Sequence, residues 1–119
     1  MFHSHALHQQ AESILRNAPL GAGYTFRGWN PVCAIGRLAA ESGFVPVAES
    51  TSHMAGSGTV RRIYGLTEEE VGRIVAINDA AGPDRPERLA EAMRSFCPVC
   101  TRLDGHRERR VSEALRSER

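Results

Sequence analysis

Apolar side chains recur with the period of an α-helix in several stretches of the chain. The first stretch lies between Ser4 and Asn17, where one helical face carries Leu7, Ala11, Ile14 and Leu15. Ser4 can accept a hydrogen bond from the free amides of a first turn, and Pro19 follows the end of the pattern. We therefore predict a first helix from Ser4 to about Asn17.

A second helix is indicated by Asn30 and Pro31, because asparagine caps a first turn and proline has no amide hydrogen to lose there. The pattern predicts a helix from Pro31 to Ser42. Its buried face consists of Ile35, Leu38 and Ala39. Gly43 and Phe44 then fit a left-handed helix end that is closed by a hydrophobic contact.

Two further helices have clear start signals. Thr67 and Glu70 form a capping box for a helix that ends around Asp79 to Gly82. Its inward face carries Val71, Ile74, Val75 and Asn78. Asp84 and Pro86 begin the next helix. Its inward residues are Leu89, Met93 and Phe96.

Between Val45 and Gly65 the helical period disappears, and residues 50–52 and 56–58 are rich in serine and glycine. We predict a long loop here, with a short hairpin through Thr59 to Tyr64 as an option. Loops of about 20 residues are usually functional or mobile, so this segment is a candidate partner surface.

The predicted fold is mainly α, a compact bundle of four to five short helices with one long Gly/Ser-rich loop. With 119 residues, one hydrophobic core is expected. We assign residues 1–96 to a single helical domain. Residues 97–119 form a polar, Arg-rich C-terminal extension, because few apolar side chains follow residue 97.

Composition, net charge and cysteine count indicate which class of protein this chain belongs to. Hydrophobic residues make up 41% and charged residues 24%, which is typical of a folded globular chain. The net charge is only +1, so a nucleic-acid site would have to be local. No apolar run approaches the roughly 20 residues that span a bilayer. Three cysteines favour a reducing compartment, and we expect a cytoplasmic protein without membrane association.

Cys33 is one candidate for chemistry, since the first turn of a helix stabilises a thiolate. A cysteine nucleophile also needs a base and an orienting group, and His53 and Asn78 supply these residue types in that order. Cys33 is equally explained as a small buried residue beside Trp29, with Asn78 as a polar group at a helix end. We favour this noncatalytic interpretation.

Cys97-Pro98-Val99-Cys100 is the more specific motif, because a two-residue spacer lets both sulfur atoms face one tetrahedral ion. His106 follows as a third candidate zinc ligand. Candidates for a fourth ligand are His3, His5, His8, Cys33 and a second chain. A redox pair and two unligated thiols are the alternatives. For the three histidines near the N-terminus, we expect a solvated helix face.

The segments Val32–Leu38, Tyr64–Glu70 and Ile77–Asp79 resemble small uncharacterised helical proteins of actinobacteria and their phages. In those proteins a Cys-Ala-x-Gly helix start and a later Asn-Asp helix end frame one domain. The resemblance covers roughly residues 11–96. It implies a helical domain and a phage-linked context, and it implies no reaction.

These observations predict a small noncatalytic binding or regulatory protein, such as a phage or mobile-element accessory factor that acts on a host protein. A host protein or a second copy of the chain is the expected partner, and a small homo-oligomer is compatible with this. One alternative is a zinc-stabilised, nucleic-acid-associated module built on Cys97, Cys100 and His106. Another is a cysteine-dependent acyl-transfer enzyme that uses Cys33.

Overall fold

The computed structural model describes residues 1–17, 19–21, 25–27, 29–46 and 55–103. Its longer helices are α1 (His5–Arg16), α2 (Ala34–Glu41), α3 (Ser57–Tyr64), α4 (Glu68–Ala80) and α5 (Arg85–Ser95). Residues 98–103 are also helical, and we label them α6. The strands β1 (Phe26–Arg27) and β2 (Asn30–Pro31) form one antiparallel hairpin. The prediction of a mainly α fold is confirmed.

Helix α1 begins and ends where its sequence pattern predicts. The Ser4 side chain accepts a hydrogen bond from the Leu7 amide at 3.2 Å, and Asn17 is the C-cap. Leu15 and Ala11 are buried, whereas Leu7 and Ile14 are partly buried against the same core. The helix thus presents one apolar stripe to the interior.

The predicted start of α2 is wrong by three residues, because Asn30 and Pro31 pair with β1 as β2. Pairing continues when the Val32 amide donates to the Thr25 carbonyl at 2.8 Å. Cys33 is therefore the N-cap of α2, with an extended backbone. Local propensity at Asn30 and Pro31 favours a helix start, but pairing with β1 overrides this preference and makes both residues part of the hairpin.

The predicted end of α2 is confirmed. Gly43 has a φ of 89°, and its amide donates to the Ala40 carbonyl at 3.0 Å. The Phe44 amide donates to the Ala39 carbonyl at 3.0 Å, and Phe44 packs against the core. These bonds make a Schellman motif, in which glycine is favoured because it tolerates positive φ.

Helix α3 replaces part of the predicted long loop, and the optional hairpin through Thr59 to Tyr64 is wrong. Val60 and Tyr64 are four residues apart and both fully buried, so one helical face is anchored in the core. Gly56 and Gly65, each with a φ of 84°, bound this short helix. The rest of the predicted loop includes residues 47–54, which lie outside the described residues.

Helices α4 and α5 follow their start signals. The Thr67 hydroxyl accepts from the Glu70 amide at 3.1 Å, and the Glu70 carboxylate accepts from the Thr67 amide at 2.8 Å. This is the predicted capping box. Asp84 is the N-cap of α5, whose first turn contains Pro86. Both helices therefore begin at the residues that the sequence indicates.

The segment before α1 links distant parts of the chain. The Phe2 amide donates to the Phe96 carbonyl at 2.7 Å, and the His3 amide donates to the Tyr64 carbonyl at 2.8 Å. The Phe2 side chain is buried in the same core as Cys97 and Cys100. As a result, the first turn of α1 lies beside the first turn of α6.

Among the described residues, no helix has the length and apolar character that crossing a membrane would require. The three cysteines all lie in the described part of the chain and form no disulfide with one another. Residues 104–119 are outside the described residues, so the division of the chain at residue 97 stays a prediction.

Candidate metal centre

Two cysteines and two histidines from opposite ends of the sequence meet between α1 and α6. His5 and His8 are one turn apart on α1, so their side chains point to the same side of the helix. Cys97 precedes α6, whose first turn is closed by the Thr101 amide donating to the Cys97 carbonyl at 3.0 Å. Cys100 is three residues further on. Each helix therefore supplies two ligands from one turn.

The ligand atoms of these four residues converge on one point. His5 Nδ1 lies 3.3 Å from Cys97 Sγ and 3.7 Å from Cys100 Sγ. His8 Nδ1 lies 3.6 Å from Cys100 Sγ. All four ligand atoms are within 4.8 Å of one another. This arrangement can hold a metal ion.

The cluster is shielded from solvent. His8 is 4% exposed, Cys100 is 7% exposed, and Cys97 is completely buried, while His5 is intermediate. The Phe2 ring packs beside His8, with ring centroids 5.4 Å apart. Buried polar side chains are rarely without partners, and here the partners of the two histidines and two cysteines include one another.

The surroundings of Cys97 favour its thiolate form. Burial raises the pKa of its thiol, but hydrogen bonds from the Cys100 amide, the His5 side chain, the Cys100 thiol and the Val99 amide lower that pKa to about 6. Because the thiolate is the form that binds metal ions, this environment suits a ligand.

One further contact involves His8. Its Nε2 atom lies 3.0 Å from Glu12 Oε1, one helical turn along α1. Since Nε2 is engaged there, Nδ1 is the ring nitrogen that faces the Cys100 thiol.

The structure brings two of the three predicted metal ligands together with two of the candidates for the fourth ligand. Cys97 and Cys100 are joined by His5 and His8, whereas His106 lies outside the described residues. The expected solvated face is wrong for His8, which is buried. His3 is exposed, and its Nε2 lies 3.2 Å from the Arg62 carbonyl instead. The repeated spacing of three residues within each pair is the sequence signal that could have identified the site.

Of the three candidate catalytic residues, Cys33 and Asn78 lie in the described part of the chain. Cys33 is buried, and this burial is the main cause that raises the pKa of its thiol. Asn78 is fully buried; its Oδ1 accepts from the Ala34 amide at 3.1 Å and its Nδ2 donates to the Gly21 carbonyl at 2.6 Å. Asn78 therefore connects the start of α2 to the segment that contains Gly21. His53 lies outside the described residues.

Comparison with known proteins gave no match to a family model, to a curated protein or to a solved structure. The resemblance to helical proteins of actinobacteria and their phages stays a prediction. The clearest indication of function is therefore the geometry of the cluster formed by His5, His8, Cys97 and Cys100.

Proposed function

We propose that this chain is a small zinc-binding protein in which a structural Cys2His2 centre joins α1 to α6 and supports a noncatalytic binding module. The observation that carries the proposal is the convergence of the ligand atoms of His5, His8, Cys97 and Cys100 within 4.8 Å. Two thiolates and two imidazoles are a ligand set typical of structural zinc.

The distances agree with a tetrahedral zinc ion. Zinc binds sulfur at about 2.3 Å and imidazole nitrogen at about 2.0–2.1 Å, so tetrahedral ligands place nitrogen and sulfur about 3.6 Å apart. The three nitrogen–sulfur distances described for this cluster are 3.3, 3.6 and 3.7 Å. Little movement of the side chains would be needed to bind the ion.

A structural role is favoured over a catalytic one. Catalytic zinc sites usually have three protein ligands and keep a position open for water or substrate. Here four protein ligands are available, and three of the four residues are buried. The ion would be enclosed, and its contribution would be to the stability of the fold.

A binding role is supported by the hairpin between β1 and β2. Trp29 lies in its turn and is 53% exposed. Tryptophan is enriched among residues that dominate protein–protein binding energy. We therefore expect a protein partner, a host protein or a second copy of the chain, to contact this turn. Trp29→Ala should weaken partner capture. Val45→Ala is the control for loss of an exposed apolar side chain, since Val45 is 69% exposed.

The direct test of the zinc centre is the metal content of untagged protein, measured by elemental analysis. We expect about one zinc per chain in the wild type. The Cys97→Ser/Cys100→Ser variant should lose it, and His8→Ala should lose or weaken it. Cys33→Ser is the control, because Cys33 is a described residue that does not belong to the four-residue cluster. His106→Ala tests the third ligand predicted from the sequence, which lies outside the described residues.

Three outcomes separate the alternatives. Absence of zinc from wild-type protein that is also incubated with excess zinc would refute the proposal. Loss of zinc in His106→Ala but not in His8→Ala would move the site to the ligand set predicted from the sequence. A Cys97–Cys100 disulfide in freshly isolated protein, without metal, would instead support a redox pair.

A further inference from the structure

We infer that Glu12 is a positioning residue for the proposed zinc centre, where its carboxylate holds the His8 imidazole with Nδ1 towards the ion. This inference rests on the proposed function. It assigns a role to a residue that is not itself one of the four candidate ligands.

The contact determines which ring nitrogen can bind. Glu12 Oε1 lies 3.0 Å from His8 Nε2, and a carboxylate can only accept a hydrogen bond. Nε2 must therefore carry the hydrogen, and in the neutral imidazole, the form that binds metal ions, this leaves the lone pair of Nδ1 available. Nδ1 is also the atom that lies 3.6 Å from Cys100 Sγ. The carboxylate and the metal site thus occupy opposite nitrogens of one ring.

The position of the carboxylate follows from the helix. Glu12 is four residues after His8 on α1, a spacing that makes the two side chains neighbours. Its other oxygen lies 3.7 Å from Nη2 of the exposed Arg16 side chain, a surface ion pair that contributes little to its position. The Glu12 side chain is 24% exposed and the His8 side chain only 5%, so their hydrogen bond is partly removed from water. The Phe2 ring packs against His8 and restricts the imidazole further.

His5 provides a useful contrast within the same helix. It is the first residue of α1 and is less buried than His8. Its Nδ1 faces both thiols, at 3.3 and 3.7 Å. His8 faces only Cys100 at such a distance among the described contacts, so the carboxylate behind it contributes more to its orientation.

Carboxylates that orient metal-binding histidines typically change metal affinity by about 10- to 100-fold when they are removed. For Glu12→Ala we expect a fall in zinc affinity within this range. Glu12→Gln keeps an oxygen that can accept from Nε2 and loses the charge, so its fall should be smaller, up to about tenfold.

The experiment measures zinc affinity by competition with a chelator for the wild type, Glu12→Ala, Glu12→Gln and Arg16→Ala. Arg16→Ala is the matched control, since the Arg16 side chain is 73% exposed and contacts Glu12 without contacting His8 in the described structure. It should bind zinc within about twofold of the wild type, as expected for a weak surface ion pair. Circular dichroism of the metal-free variants shows whether each one folds.

A second readout distinguishes positioning from a purely structural role. Nitrogen-15 spectra of histidine-labelled, zinc-loaded protein should show His8 bound through Nδ1 and protonated at Nε2. In Glu12→Ala the His8 signals should shift towards mixed or altered coordination, and in Glu12→Gln they should return towards the wild-type pattern. A residue with only a structural role would change the stability of the metal-free protein and leave this pattern unchanged.

The possible failures are distinguishable. If the wild type binds zinc and Glu12→Ala binds it equally tightly with the same spectrum, the role of Glu12 is refuted and the zinc centre stands. If the wild type binds no zinc, the proposed function and this inference fall together. If Arg16→Ala weakens binding as much as Glu12→Ala, the effect belongs to the charge of the helix surface and the positioning role is refuted.

Discussion

Removal of zinc should strongly destabilise the proposed metal-bound protein, because the ion would connect the two ends of the sequence. His5 and Cys97 are 92 positions apart, and so are His8 and Cys100. In the folded protein the N-terminal segment already holds these pairs together through the hydrogen bond from Phe2 to Phe96. In the unfolded chain nothing comparable brings them into contact.

The size of the effect follows from this separation. Closing a flexible loop of 92 residues costs about 4 kcal/mol, so a four-ligand site in the unfolded chain would be weakened roughly a thousandfold. Zinc should therefore bind almost entirely to the folded state. Free zinc at 1,000 times its dissociation constant then stabilises folding by about 4 kcal/mol. For a domain of this size, that corresponds to a shift of roughly 15 °C in the midpoint of thermal unfolding.

The assay is thermal unfolding followed by circular dichroism, with the zinc concentration fixed and a chelator added in stages. The wild-type midpoint should fall as zinc is removed and recover when zinc is restored. Cys100→Ser should unfold at the lower midpoint with or without the chelator. A wild-type midpoint that does not change on complete removal of zinc would refute the structural role of the ion.

Three other predictions concern the packing around α2 and α4. A Cβ at Gly36 would lie 1.8 Å from the Thr25 carbonyl oxygen, so Gly36→Ala should lower the free energy of unfolding by about 3 kcal/mol or more in a urea titration. The same change at Gly72, where a Cβ meets no atom within 4 Å, should be neutral or raise it by up to about 1 kcal/mol. Asn78→Ala leaves a buried amide and a carbonyl without their partner and should cost about 2–4 kcal/mol in the same titration, and an unchanged midpoint would contradict this. In folded protein at neutral pH, Cys33 should be alkylated slowly, since burial raises the pKa of its thiol, and fast modification in a mass-spectrometric time course would reopen its catalytic interpretation.

The helices that could be predicted from the sequence are those with local start and stop signals. Ser4, Thr67 and Asp84 precede α1, α4 and α5, and Gly43 follows α2. Each signal acts within one turn of the chain, so neighbouring residues are enough to recognise it. Helix α3 ends at a glycine, Gly65, but lacks a side-chain start signal, because its N-cap is Gly56. The burial of Val60 and Tyr64 anchors it instead.

The start of α2 shows how a nonlocal contact overrides local preference. Asn30 and Pro31 have the residue types of a helix start, but Pro31 pairs with Phe26 in the hairpin. Close approach of Gly36 to the backbone of Thr25, the residue before β1, then places α2 against the hairpin. These contacts depend on which segments meet, and sequence periodicity carries no information about that.

The candidate metal site depends both on local spacing, which the sequence shows, and on a contact between distant segments, which it does not show. Each half can be identified locally, since His5 and His8 are three residues apart and so are Cys97 and Cys100. Their pairing depends on the backbone bond between Phe2 and Phe96, which places the start of α1 beside the end of α5. His106 is nearer to Cys100 in sequence, and for that reason the sequence alone favours it as the third ligand. An ion held by residues 5, 8, 97 and 100 restrains nearly the whole described chain, whereas one held by residues 97, 100 and 106 would restrain ten residues. Because the entropy cost of closing a loop grows with its length, the distant pair gives the ion the larger effect on stability.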